Sequence, residues 1–142
     1  VEASTAQGVG IDIERTIQAD ALEAILGTAI APSEQALLET HARHIPIEKL
    51  FTIGFSAKES FFKGAFHAVG RYFDFDSVEL SQLEPENGRI VLTIKEELCW
   101  HFPKGHDFLN FGFTNQALRH KISSNSSIFH RRFMNISSII KP

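Results

Sequence analysis

The sequence predicts an α+β fold, a small antiparallel sheet packed on one long helix, and three observations lead there. Apolar residues at Ile47, Leu50, Phe51, Gly54, Ala57, Phe61, Ala65, Ala68 and Val69 recur with a period near 3.6, predicting a continuous helix stopped by Gly70. Ser77–Leu83 and Arg89–Lys95 read as strands, and Asn87-Gly88 between them predicts a hairpin because both residues tolerate positive φ. Near the start, Gly8–Glu14 alternates apolar residues with glycine or acid, the period of a strand.

The remaining elements follow in order. Asp20-x-x-Glu23 with Gly27 brackets a short helix, and Pro32-Ser33 opens another running to about Arg43. Phe108–Thr114 is expected as a third strand of the hairpin sheet. Tyr72-Phe73-Asp74-Phe75 reads first as core and second as an aromatic lining for a cleft. Residues 1–114 form the expected domain, and 115–142 the expected basic, Ser/Asn-rich tail, disordered or loosely docked. That tail reading rests on charge: residues 1–107 carry 17 acids and 9 Lys/Arg, whereas 108–142 carry no acid and 5 Lys/Arg.

Composition bounds the function classes. A chain of 142 residues with 43% hydrophobic content and thirteen Phe has enough apolar mass for one packed core. A single cysteine, Cys99, excludes an internal disulfide and disfavours a thiolate zinc site. No stretch has transmembrane length and Val1 onward does not read as a signal peptide, so the expected compartment is the cytoplasm. The acidic body argues against nucleic acid as a partner, since such affinity depends on neutralising phosphates.

Two segments carry chemistry. Along Gly8-Val9-Gly10-Ile11-Asp12-Ile13-Glu14, strand alternation puts Val9, Ile11 and Ile13 on one face and Gly10, Asp12 and Glu14 on the other. Two acids two residues apart on one face repel each other, and a hard cation such as Mg²⁺ removes the conflict. Gly10 leaves bare backbone beside Asp12 that a ligand can approach. The competing reading is an edge strand with a wet acidic face. The glycines are not a dinucleotide fingerprint, because the third position of that spacing is Ile13. In Phe55-Ser56-Ala57-Lys58-Glu59-Ser60-Phe61-Phe62-Lys63, Glu59 and Lys63 share a helix face. Ser56-x-x-Glu59 also fits a capping box, but the apolar period runs upstream to Ile47 and favours an uninterrupted helix with Glu59 free in its interior. His41 and His44 are three apart on a predicted helix without a third ligand at credible spacing, and no hydrolase elbow or Walker A loop is present.

Together these segments resemble the 4′-phosphopantetheinyl transferases, and most closely their larger class, typified by the surfactin-type and enterobactin-synthetase enzymes. The resemblance runs from about Gln7 to Thr114 and rests on Gly10-Ile11-Asp12-Ile13-Glu14 and Phe55–Lys63, which match the family's strand and helix motifs without a gap. It implies Asp12, Glu14 and Glu59 as ligands of Mg²⁺ or Mn²⁺, and Lys58 and Lys63 as residues facing the phosphates of coenzyme A. It further implies Glu59, directly or through water, as the group that helps deprotonate a serine of an acyl or peptidyl carrier protein, with Lys63 beside it. The Phe-Ser-Ala-Lys-Glu-Ser wording is similar to the branch serving siderophore and nonribosomal peptide synthesis. Larger-class members have two similar halves, and the resemblance implies that this chain is the second. Catalysis is therefore expected to need the first half or self-association. Two other readings stand beside the enzyme: a metal- or carrier-binding half without activity of its own, and a metal-dependent nuclease built on Asp-x-Glu with a distant Glu.

Overall fold

Helix α3 (Ile47–Val69) is the element around which the chain is built. Pro46 precedes it and Glu48 lies in its first turn, where an acid is favourable for the helix dipole. Gly70 ends it at φ 68°, a left-handed conformation that costs glycine nothing, and its N–H bonds back to the Phe66 carbonyl at 3.0 Å. The predicted helix and its stop are thus both present. Leu50, Phe51, Ile53, Ala57, Phe61 and Ala65 are buried along it, each large side chain contributing about 1.5–3 kcal/mol by leaving water.

The computed structural model describes residues 6–99, 102–115 and 133–141. In these, β1 (Ala6–Arg15) is followed by α1 (Ala19–Ile25), α2 (Pro32–Glu39), α3, β2 (Val78–Glu84), β3 (Arg89–Ile94), β4 (Asp107–Asn115) and β5 (Phe133–Lys141). The strands make one sheet in the order β1-β5-β4-β3-β2. β2, β3 and β4 pair antiparallel, whereas β5 pairs parallel with both β4 and β1. One face of this sheet takes α3, and α1 and α2 pack on α3 in turn. Leu80, Ile90, Leu92 and Ile94 meet the helix in a single core with Ile30 and Leu38.

Three expectations are corrected. The sheet is mixed and five-stranded, larger than the antiparallel sheet expected, because β1 and β5 join it. Residues 133–141 are not a loose tail: they form β5, an interior strand. The Ser/Asn-rich composition concealed two apolar groups, Phe133-Met134 and Ile139-Ile140, on either side of it; residues 116–132 lie outside the described residues. α2 ends at Glu39 instead of near Arg43, so His41 and His44 fall in the following turn and share no helix face. In the hairpin, a 3-10 turn over Pro85–Asn87 leads into Gly88 and β3, close to the predicted position.

Candidate active site at the meeting of β1 and α3

Strand β1 is built the wrong way round for a core strand. Asp12 is only 2% exposed and turned toward α3, while Ile11 and Ile13 are 53% and 54% exposed on the other face. The acidic face is therefore turned inward; of the competing reading, an edge strand with a wet acidic face, the edge position holds and the wetness does not. What makes this possible is the helix surface opposite. Thr52, Ser56, Ser60 and Gly64 recur every four residues and put small or hydroxyl groups on one stripe of α3.

The strand runs along that stripe. The Thr52 hydroxyl accepts from the Ile17 N–H at 2.9 Å. The Ser56 hydroxyl donates to Asp12 Oδ2 at 2.6 Å, and Lys63 Nζ donates to Asp12 Oδ1 at 2.5 Å. A Cβ placed on Gly10 would lie 1.8 Å from the Ser60 carbonyl oxygen and 2.8 Å from the Gly64 nitrogen. Gly10 thus admits the α3 backbone, not a ligand, and the expectation of a bare surface open to one is corrected. Ser56 is mid-helix and bound to Asp12, so the capping box does not form and Glu59 stands in the helix interior, as expected.

Charge gathers where these elements meet. Burial raises the Glu14 carboxyl above its ordinary value, with Asp12 and Glu59 adding to the rise and Lys63 opposing it. Glu59 is raised too, again chiefly by burial, with Lys63 lowering and Asp12 raising. Lys63 is raised in turn, first by its hydrogen bond to Asp12 and despite its own desolvation. Asp12, Glu14, Glu59 and Lys63 thus form one electrostatic group with three carboxylates and a single ammonium. As the side chains stand, no three acids, histidines or cysteines among the described residues form a ready cation-binding cluster. Lys63 Nζ, not a second carboxylate, meets Asp12. The donor chemistry nevertheless suits a hard divalent cation: oxygen ligands only, on carboxyls raised first by burial and then by their acidic neighbours. Lys63 is half exposed at 49%, free on its outer side to meet an anion.

Lys58, expected to face coenzyme A phosphates, lies elsewhere. Its side chain is 2% exposed and its ammonium is enclosed by the Ala29 carbonyl at 2.8 Å, the Phe75 carbonyl at 3.2 Å and Glu34 at 2.7–2.8 Å. A lysine has three donors, and three acceptors hold them here. The reason is rotational: one residue before Glu59 on a helix is about 100° away, which points Lys58 toward α2 and β2. Sequence reading passed over Glu34, Thr52 and Gly64, and took Ser56 only as a motif residue and possible helix cap. The four-residue spacing of small groups on α3 was a usable signal for the last three. Glu34 had none, since a glutamate in a first helical turn is ordinary.

No helix among the described residues is long and apolar enough to cross a membrane. The family model of the 4′-phosphopantetheinyl transferase superfamily matches residues 8–123. No curated protein matches the chain.

Proposed function

The chain belongs to the 4′-phosphopantetheinyl transferase superfamily, and from that premise we propose that it moves the phosphopantetheine arm of coenzyme A onto a serine of an acyl or peptidyl carrier protein. The supporting observation is the buried Asp12, held by Ser56 and Lys63 against α3 with Glu14 and Glu59 in the same electrostatic group. Asp12, Glu14 and Glu59 are the residues for Mg²⁺ or Mn²⁺, which when bound supplies neutralisation of phosphate charge. Lys63 exchanges part of its pairing with Asp12 for the pyrophosphate of coenzyme A. Glu59, directly or through water, receives the serine proton as the serine oxygen bonds to phosphorus. The bond from that phosphorus to the adenosine 3′,5′-bisphosphate oxygen breaks, and the nucleotide leaves. Lys58 has no part in phosphate binding in this reading, because its donors are already engaged.

The test is intact-mass spectrometry of an apo carrier protein incubated with the chain, coenzyme A and Mg²⁺, beside an EDTA control. A metal-dependent phosphopantetheine adduct is expected. Glu59→Ala should slow its formation by about 10²–10⁴-fold, the range for losing a general base, with the fold intact by circular dichroism. Full activity in that variant would remove Glu59 from the mechanism. A second reading, a binding half that needs another similar half for catalysis, is favoured by the exposed Ile11 and Ile13, which offer apolar surface for such a unit. In that case metal binds and no adduct forms until the second half is supplied.

A further inference from the structure

The pair Lys58–Glu34 has no place in the chemistry above, yet it is among the most enclosed polar arrangements of the described residues. The two side chains are 2% and 0% exposed. Glu34 Oε2 also accepts from the Ala31 N–H at 2.7 Å, and Oε1 from the Leu80 N–H at 2.7 Å. Lys58 adds the carbonyls of Ala29 and Phe75. One ion pair therefore ties α3 to the start of α2, to β2 and to the turn before β2. Stability is a weak explanation, because burying two charges costs free energy that their attraction and hydrogen bonds only about repay.

Geometry offers a better one. On its strand side α3 is held by Asp12 through Ser56 and Lys63, and Gly10 lets the two backbones touch. That grip acts on one side of a cylinder, and the apolar core under Leu50, Phe51, Ile53, Ala57, Phe61 and Ala65 restrains rotation by packing that is not directional. Lys58 supplies a second, directional grip from another side. A carboxylate about 6 Å from the axis moves by about 1 Å for every ~10° of helix rotation. Misplacement of that size can cost about 10²-fold in rate. We propose that Lys58–Glu34 is a positioning pair, which sets the rotation of α3 and so aims Glu59 at Asp12 and Glu14. The proposal rests on the metal-dependent transfer reading for its consequence, but not for its geometry.

The experiment compares wild type with two variants, Glu34→Gln/Lys58→Met and Lys58→Arg. The double variant removes both charges, while the amide introduced at position 34 keeps an acceptor and adds a donor. The arginine keeps the charge but has a longer, planar head. Both are first checked for a cooperative thermal transition. In metal-free protein, nuclear Overhauser contacts between the Gly10 α-protons and the Gly64 amide report where α3 sits on β1, without reference to metal or activity. Mn²⁺ affinity by calorimetry and the split of kcat from KM for coenzyme A report the consequence. The expected result, in each variant that folds, is a weakened Gly10–Gly64 contact, a loss of Mn²⁺ affinity of about 10-fold or more, and a kcat lowered about 10²-fold with KM little changed. Should the double variant fail to fold, Lys58→Arg decides alone. A folded variant with wild-type Gly10–Gly64 contacts overturns the proposal. Altered contacts in a protein whose wild type binds no Mn²⁺ support the positioning and instead sink the metal reading.

Discussion

Gly10 is where one added methyl group decides whether β1 and α3 can meet. Its Cβ would sit 1.8 Å from the Ser60 carbonyl oxygen, and that obstacle is helix backbone, not a side chain that can swing aside. Overpacking in a closed core costs about 1–3 kcal/mol when side chains can adjust, so Gly10→Ala should reach or exceed that upper figure. Urea unfolding monitored by circular dichroism measures it, and a loss below about 1 kcal/mol would mean that the two backbones are not in contact. The substitution should also disturb function beyond its effect on stability. Moving β1 away from α3 breaks the Ser56 and Lys63 bonds to Asp12, two residues along the same strand.

At the scale of elements, β5 carries the next prediction. It lies between β1 and β4, so β1 reaches the rest of the sheet only through it. Deleting residues 133–141 should leave β1 without a strand partner and abolish the cooperative melt; a truncated chain that melts as sharply as wild type would contradict the strand order. The same strand shows where sequence reading stopped. Helix α3 and the β2–β3 hairpin were legible because their signals are local: a 3.6-residue period closed by Gly70, and two β-rich runs around Asn87-Gly88. β5 was not, because a parallel strand pairs with partners far away in sequence, and the local composition around it is rich in Ser and Asn. The site divides in the same manner. Asp12, Glu14, Glu59 and Lys63 were legible as motif residues, and the structure gathers them into one electrostatic group. The placement of Lys58 was not, since its partner Glu34 is 24 residues upstream and only the tertiary fold brings them together.

For the whole molecule, the site's charge should appear as a link between pH, metal and stability. Folding raises the proton affinity of Glu14 and Glu59, so between the ordinary value of 4.5 and their raised values the native state holds more protons than the unfolded chain. Their contribution to stability is complete below 4.5 and is lost as pH rises through the folded values. Glu79 acts in the opposite sense. Its hydrogen bonds from Lys95 and then Ser33 lower it, so its contribution is present above 4.5 and lost as pH falls through its folded value. Lys63 is raised from 10.5 and its contribution disappears only as the pH rises through that folded value, leaving the acid range unaffected. Once ionised, Glu14 and Glu59 carry the cost first of their burial and then of their acidic neighbours, which a divalent cation in the proposed site would relieve. Excess Mg²⁺ should raise the melting temperature, by the equivalent of about 2.7 kcal/mol at roughly one hundred times its dissociation constant. The rise should shrink as the medium is acidified and protons compete for the same oxygens. Glu59→Gln should melt above wild type in metal-free neutral buffer and respond little to Mg²⁺, since the neutral amide removes both a partly buried charge and a proposed ligand. Thermal melts of both proteins at about pH 5 and about pH 8, with and without Mg²⁺, read all three effects together. A Mg²⁺ response equal at the two pH values, or unchanged in Glu59→Gln, would place the cation away from these carboxylates.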